Sequence, residues 1–153
     1  MATTTGYREP GFLTTRIMNP LVLVMMRRGL SVWGSRILET RGRRSGLPRR
    51  TPVNLLEVEG RHYLVSPRGE TDWVRNVRAD EGRLTLVLGR RRDERIAQEL
   101  ADSAKGPVLR AYLRKWKMEV GVFFDGVTSQ SLEQDLTRIA PDHPVFLLSA
   151  PRN

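Results

Sequence analysis

Short runs in which apolar and polar residues alternate fill the middle of the chain, and helix-spaced apolar residues dominate the two flanks. Residues 53–58 and 62–66 are extended runs joined by Glu59-Gly60, a pair that signals a tight hairpin. A shorter strand is predicted at 36–40, and another at 84–88, ending at Gly89 and the run Arg90-Arg91-Arg92. Residues 95–100 fit strand or helix, and strand is favoured if they pair with their predecessor as a hairpin. A last strand is predicted at 144–149.

Helical spacing appears first between residues 12 and 28, where Phe12, Ile17, Leu21, Val24 and Met25 belong to an apolar stretch without acidic residues. Asn19-Pro20 reads as a helix start and Gly29 as its stop. The run at 21–26 is far too short to span a bilayer. Two placements remain for this segment: packed on the core, or lying on an anionic membrane surface with Arg16, Arg27, Arg28 and Arg36 at its flanks. Further on, Thr71 is placed to cap a short helix carrying Trp73, Val74 and Val77 on one side. Gly106-Pro107 opens the clearest helix, with Leu109, Tyr112 and Trp116 on one face and Arg110, Arg114 and Lys115 outside. Residues 131–134 fit a capping box, followed by Leu132, Leu136 and Ile139 as a buried stripe. The sum is an α+β domain: short-linked antiparallel strands able to close into a small barrel, an N-terminal helix, C-terminal helices and one inserted between. Residues 1–153 read as a single domain, with 1–10 a loose arm.

Composition narrows the chemistry. Cysteine is absent, which removes a disulfide framework, a thiol nucleophile and cysteine-bound zinc, and fits a reducing cytoplasm. The two histidines, His62 and His143, are far apart without a neighbouring second ligand, so no metal site is expected. Asp142-His143-Pro144 has no serine in a nucleophile elbow to complete a triad, and a structural or surface role for His143 is favoured. No catalytic residue is assigned. The net charge of +9 calls for an anionic partner: nucleic acid, lipid headgroups or a polyanionic small molecule.

That charge concentrates at residues 40–52, where Arg41, Arg43, Arg44, Arg49 and Arg50 surround Gly42 and Gly46 with no acid among them. Guanidinium meets phosphate or carboxylate with a planar pair of donors, the glycines let backbone N–H groups approach the same anion, and Ser45 adds a hydroxyl. By charge alone, a solvated basic loop is equally consistent. The stretch Ser66-Pro67-Arg68-Gly69, followed by Trp73 and Asn76, supplies small residues after a strand, a planar face and a polar group one turn on. Read by itself it is an ordinary turn with a core tryptophan. Together the two stretches suit a ligand with a ring at one end and an anionic tail at the other.

The order Gly42-Arg43-Arg44-Ser45-Gly46, Arg49, Thr51-Pro52, the Gly60 hairpin, Tyr63 to Ser66, Gly69, Trp73 and Asn76 resembles the deazaflavin-dependent nitroreductase family. These are actinobacterial split-β-barrel reductases that use coenzyme F-420. The resemblance implies a split barrel and tail contacts on Arg43, Arg44, Ser45, Gly46 and Arg49, with the family's turn proline at Pro52. It places the deazaflavin ring along Ser66, Pro67, Arg68 and Gly69, with Trp73 and Asn76 helping to bind the coenzyme. The second basic position, usually lysine, is Arg44 here. The segment between Ser66 and Trp73 is shorter than in the best-studied members, so substrate class does not transfer. The implied activity is hydride transfer from reduced F-420 to a small-molecule electrophile such as a quinone, an enone or a nitroaromatic. The implied location is the cytoplasm, extending to the inner face of the cell membrane through residues 12–28. One rival keeps the barrel with flavin mononucleotide (FMN) as ligand. Another is a basic nucleic-acid-binding protein, disfavoured because aromatic residues are not interleaved with the basic clusters. Tyr112 and Trp116 are open to a pocket role, with core packing preferred.

Overall fold

The computed structural model describes residues 34–151 of the chain. The predicted strands form as β1 (Ser35–Arg41), β2 (Pro48–Val58), β3 (Arg61–Val65), β4 (Arg83–Leu88), β5 (Arg91–Glu99) and β6 (Val145–Ser149). They close into an antiparallel barrel in the order β1-β2-β3-β6-β5-β4. The Glu59-Gly60 hairpin is confirmed, and both of its residues take positive φ, 51° and 77°, as a two-residue turn of the twist-matched kind demands. Residues 95–100, ambiguous by pattern, are resolved by pairing: β5 runs antiparallel to β4 with Leu86 opposite Asp93.

β2 begins five residues before the predicted 53–58 because its first half pairs with β1, Thr40 standing opposite Arg49. Pro52 therefore stands inside a strand, opposite Ile37, rather than in a turn. Its missing N–H costs nothing there, because β3 joins β2 only from Leu55 onward and the other edge at Pro52 is unpaired among the described residues.

Helix α1 (Asp72–Ala79) sits between β3 and β4 in the chain, and α2 (Gly106–Val120) and α3 (Glu133–Ile139) lie between β5 and β6. The strand pleat divides the apolar side chains between two clusters. Leu64, Phe146 and Leu148 face the barrel interior, where Trp73, Val74 and Val77 of α1 fill the space. Tyr63, Val65 and Val145 face the other way and are covered by Leu109, Tyr112, Leu113 and Trp116 of α2 and by Leu136 and Ile139 of α3. Tyr112 and Trp116 are thus core residues, 2% and 1% exposed, with ring centroids 5.0 Å apart. At Trp116 the helix breaks, with φ −123° and ψ 23°.

Two expected caps do not form. Thr71 is the N-cap residue of α1 by backbone geometry, but its hydroxyl makes no cap bond and lies 3.5 Å from the Ser66 hydroxyl instead. The capping box at 131–134 is absent because Ser131 Oγ accepts from the N–H of Thr128, so α3 starts from Leu132, which is 64% exposed rather than buried. The apolar stretch at 12–28 and the loose arm at 1–10 lie outside the described residues.

Candidate functional site

The basic loop between β1 and β2 closes on itself. Gly42 N–H donates to Leu47 O and Gly46 N–H to Gly42 O, both at 2.8 Å, and Ser45 Oγ accepts from Leu47 N–H at 3.1 Å. A Cβ at Gly42 would lie 2.7 Å from Ser45 Oγ and 3.1 Å from Leu47 O, so this tightness requires glycine. The Ser45 hydroxyl is therefore engaged in forming the loop.

The loop arginines divide into two groups. Arg50 and Arg92 both meet Glu39, at 3.0 and 2.6 Å. Hydrogen bonding from Arg92 leads in holding the Glu39 carboxyl below its ordinary range, and burial opposes it. Arg43 turns toward α1: its N–H and its Nη1 both donate to Asn76 Oδ1, at 3.2 and 2.9 Å, and its Nη2 reaches Asp72. Asn76, only 3% exposed, donates in turn to Thr40 Oγ1 at 3.2 Å. Arg41, Arg44 and Arg49 are exposed, and among the described residues no carboxylate lies within ion-pairing distance of them. A cavity of about 450 Å³ opens among Arg41, Gly42, Arg43, Arg44, Ser45 and Gly46, bounded on the far side by Ala79 and Asp80 at the end of α1.

The turn after β3 is braced separately. Ser66 is fully buried, and its hydroxyl donates to Gly69 O at 2.6 Å, while Gly69 takes φ 86° and its N–H returns to Ser66 O. Glu70 pairs with Arg78 of α1, and the same guanidinium bonds Glu99 of β5 at 2.7 Å. These two carboxylates, Glu99 first, raise the Arg78 pKa above its ordinary value.

The structure therefore brings Arg43 together with Asn76, and gathers Arg44, Ser45 and Gly46 around one cavity. Ser66, Pro67, Arg68 and Gly69 form one turn at the start of the segment leading into α1, outside that cavity's lining. Trp73 is 7% exposed and its ring packs against Phe146 in the barrel interior, with centroids 5.7 Å apart. Arg49 lies across the loop, its Cγ 3.5 Å from where a Gly42 Cβ would stand, and Pro52 is further along β2. Sequence reasoning assigned no role to Asp72 or Arg78. An acidic residue in a helix's first turn was the available signal for Asp72.

The sequence model of the family described as F420H(2)-dependent quinone reductase matches residues 16–126. The chain belongs to this family. It is an oxidoreductase whose coenzyme is the deazaflavin F-420. No curated protein gives a significant match to the sequence. Among solved structures, one described as an F420-H2 dependent reductase is 19% identical, with TM-score 0.53 over 76% of this chain and 94% of its own. A protein described as a domain-swapped dimer is 16% identical, with TM-score 0.56 over 88% and 98%. A conserved hypothetical protein of Mycobacterium tuberculosis is 14% identical, with TM-score 0.51 over 95% and 87%. At these identities the likeness shows the shared fold. Among the described residues no helix is long and apolar enough to cross a membrane, and no cluster of metal-binding side chains occurs.

The donor set suits the family's coenzyme. Arg41 and Arg44, without a carboxylate in ion-pairing distance among the described residues, line the cavity beside Arg43, with Asp80 also in its wall. That is the chemistry an anionic tail requires.

Proposed function

We propose that this reductase oxidises F-420H2 with a quinone and holds the coenzyme by two separate pieces of the chain. Arg44 and Arg49 take the anionic tail with Arg41 beside them, and Arg43, Ser45 and Gly46 hold the loop in the shape that presents them. The turn Ser66, Pro67, Arg68 and Gly69 carries the ring. Trp73 and Asn76 serve it from behind, Trp73 by filling the barrel under α1 and Asn76 by fixing Arg43. Pro52 stiffens the strand that leaves the loop. When bound, the reduced deazaflavin supplies a hydride to the acceptor, and the protein's part is orientation.

The observation that carries this reading is the division among the arginines: Arg43 and Arg50 are committed to internal partners, whereas Arg41, Arg44 and Arg49 are not. Each charge-assisted contact is worth about 1.5 kcal/mol or more, so Arg44→Ala/Arg49→Ala is expected to weaken F-420 binding about 100-fold. Thermal stability should stay near wild type, since both side chains are exposed. Fluorescence titration of the coenzyme checks this. Affinity for F-420 no tighter than for FMN, or an unaffected double variant, would sink the assignment.

We further propose that residues 12–28 place the protein at the inner face of the cell membrane, where quinones partition. The apolar stretch bounded by Arg16, Arg27 and Arg28 supports this, because arginines flanking an apolar face favour anionic headgroups. Co-sedimentation with anionic liposomes should be strong for the full chain and lost when residues 1–28 are removed. Equal sedimentation of the two forms would count against it.

A further inference from the structure

Arg78 stands in the last turn of α1, where a cation meets the negative end of the helix dipole, and its guanidinium is shared between two carboxylates. Its Nε and Nη2 donate to the two oxygens of Glu99, both at 2.7 Å. Its Nη1 and Nη2 donate to the two oxygens of Glu70. Each pair is the planar, two-pronged kind, and Nη2 serves both acids at once. All three side chains are partly buried.

Two of the three groups sit on fixed elements. Val77, the neighbour of Arg78 in α1, is fully buried in the barrel interior. Glu99 ends β5 opposite Phe146 of β6, and the next N–H, of Leu100, donates to Val145 O at 2.8 Å. Glu70, by contrast, follows Gly69 in the loop between β3 and α1, at the middle of a turn closed by Thr71 N–H on Gly69 O at 2.9 Å. The same Gly69 oxygen accepts from the Ser66 hydroxyl. Fixing the Glu70 carboxylate therefore fixes the peptide on which the turn closes.

We propose that Arg78 is a positioning residue for the coenzyme, holding the turn at 66–69 through Glu70 against the ends of α1 and β5. The role rests on the reading that this turn carries the deazaflavin ring. Two carboxylates that share one nitrogen repel each other once the cation is gone, so loss of Arg78 drives Glu70 away from β5 and carries the Gly69 peptide with it. Gly69, at φ 86°, has the backbone freedom to follow. Lysine is no substitute, since a single ammonium lacks the two donor edges.

Titrations with F-420 at low and raised salt test this, beside thermal unfolding of the same samples. Glu70→Gln leaves the Arg78–Glu99 pair in place, so it should melt near wild type yet raise Kd about threefold to fivefold. Charge alone predicts the opposite sign, because removing a carboxylate should tighten the hold on a polyanionic ligand. The weakening should also persist when salt screens exposed charges. Arg78→Gln should raise Kd further, and Arg78→Lys should recover little of that loss. Combining Glu70→Gln with Arg78→Gln should be no worse than Arg78→Gln alone, as both break one link. In steady-state assays the change should appear in the KM for F-420H2 and leave the KM for the quinone near wild type. Unchanged or tighter binding by Glu70→Gln, wild-type affinity in Arg78→Lys, or losses that add in the double variant would overturn the role. If Arg78→Gln does not fold, Glu70→Gln and Arg78→Lys still decide. Gly69→Ala, strained at its positive φ, reports on the ring reading itself. Wild-type affinity in Gly69→Ala removes the ring from this turn, whereas an impaired Gly69→Ala beside an unaffected Glu70→Gln removes only the role of Arg78.

Discussion

Asn76→Leu is expected to cost about 2–3 kcal/mol of stability, because it leaves buried polar groups unpaired where one amide had joined them. The Asn76 side chain accepts from the Arg43 N–H and Nη1 and donates to Thr40 Oγ1. Leucine is close in size but offers neither an acceptor nor a donor. Arg43 keeps only Asp72, whose side chain is 84% exposed, and a surface pair of that kind holds a side chain weakly. The basic loop would then be tied to α1 by little else, and the F-420 Kd should rise about tenfold or more. Asn76→Asp separates geometry from charge: it keeps an acceptor for Arg43 and loses the donor to Thr40, so it should fall between wild type and leucine. Chemical denaturation and coenzyme titration on the same samples check both. Wild-type affinity in a folded Asn76→Leu protein would show that the loop is held by other means.

Gly82→Ala should be more damaging still, although the residue belongs neither to the basic loop nor to the turn at 66–69. Gly82 takes φ 83°, and a Cβ added there would lie 2.3 Å from the carbonyl oxygen of Ala97. That oxygen belongs to β5, where Ala97 N–H donates to Gly82 O at 2.8 Å, so the strand cannot withdraw without losing this bond. Backbone strain contributes about 1–3 kcal/mol and the overlap adds to it, for an expected loss above about 3 kcal/mol. Gly60→Ala is the control. Its φ of 77° is nearly the same, yet nothing lies within 4 Å of an added Cβ, so strain alone should act there. The difference between the two melting curves isolates the collision with β5. Similar losses in both variants would mean that β5 yields at Ala97.

The strands were legible because half-buried sheet imposes a period of two, which residues such as Tyr63, Leu64 and Val65 display against opposite clusters. β5 was not legible alone. Arg91 to Glu94 are exposed and carry no apolar rhythm, and pairing with β4 supplies what the pattern lacks. The caps at Thr71 and Ser131 were misread for a common reason: a hydroxyl at the right spacing had a nearer partner, Ser66 in one case and Thr128 in the other. For the site, the clustering of arginines was visible, but their division was not. Glu39 pairs with Arg92 across 53 positions, and Asn76 with Arg43 across 33, separations that local spacing does not encode.

The place of β6 between β3 and β5 bears on how such a protein is made. Of the six strands it is the last to be synthesised, and until it leaves the ribosome both neighbours present bare edges, the kind of surface on which chains aggregate. The turn at Ser66 lacks the Pro144 carbonyl that accepts its N–H over the same interval. A growing chain therefore displays its arginines before the turn at 66–69 has the Pro144 segment to rest on.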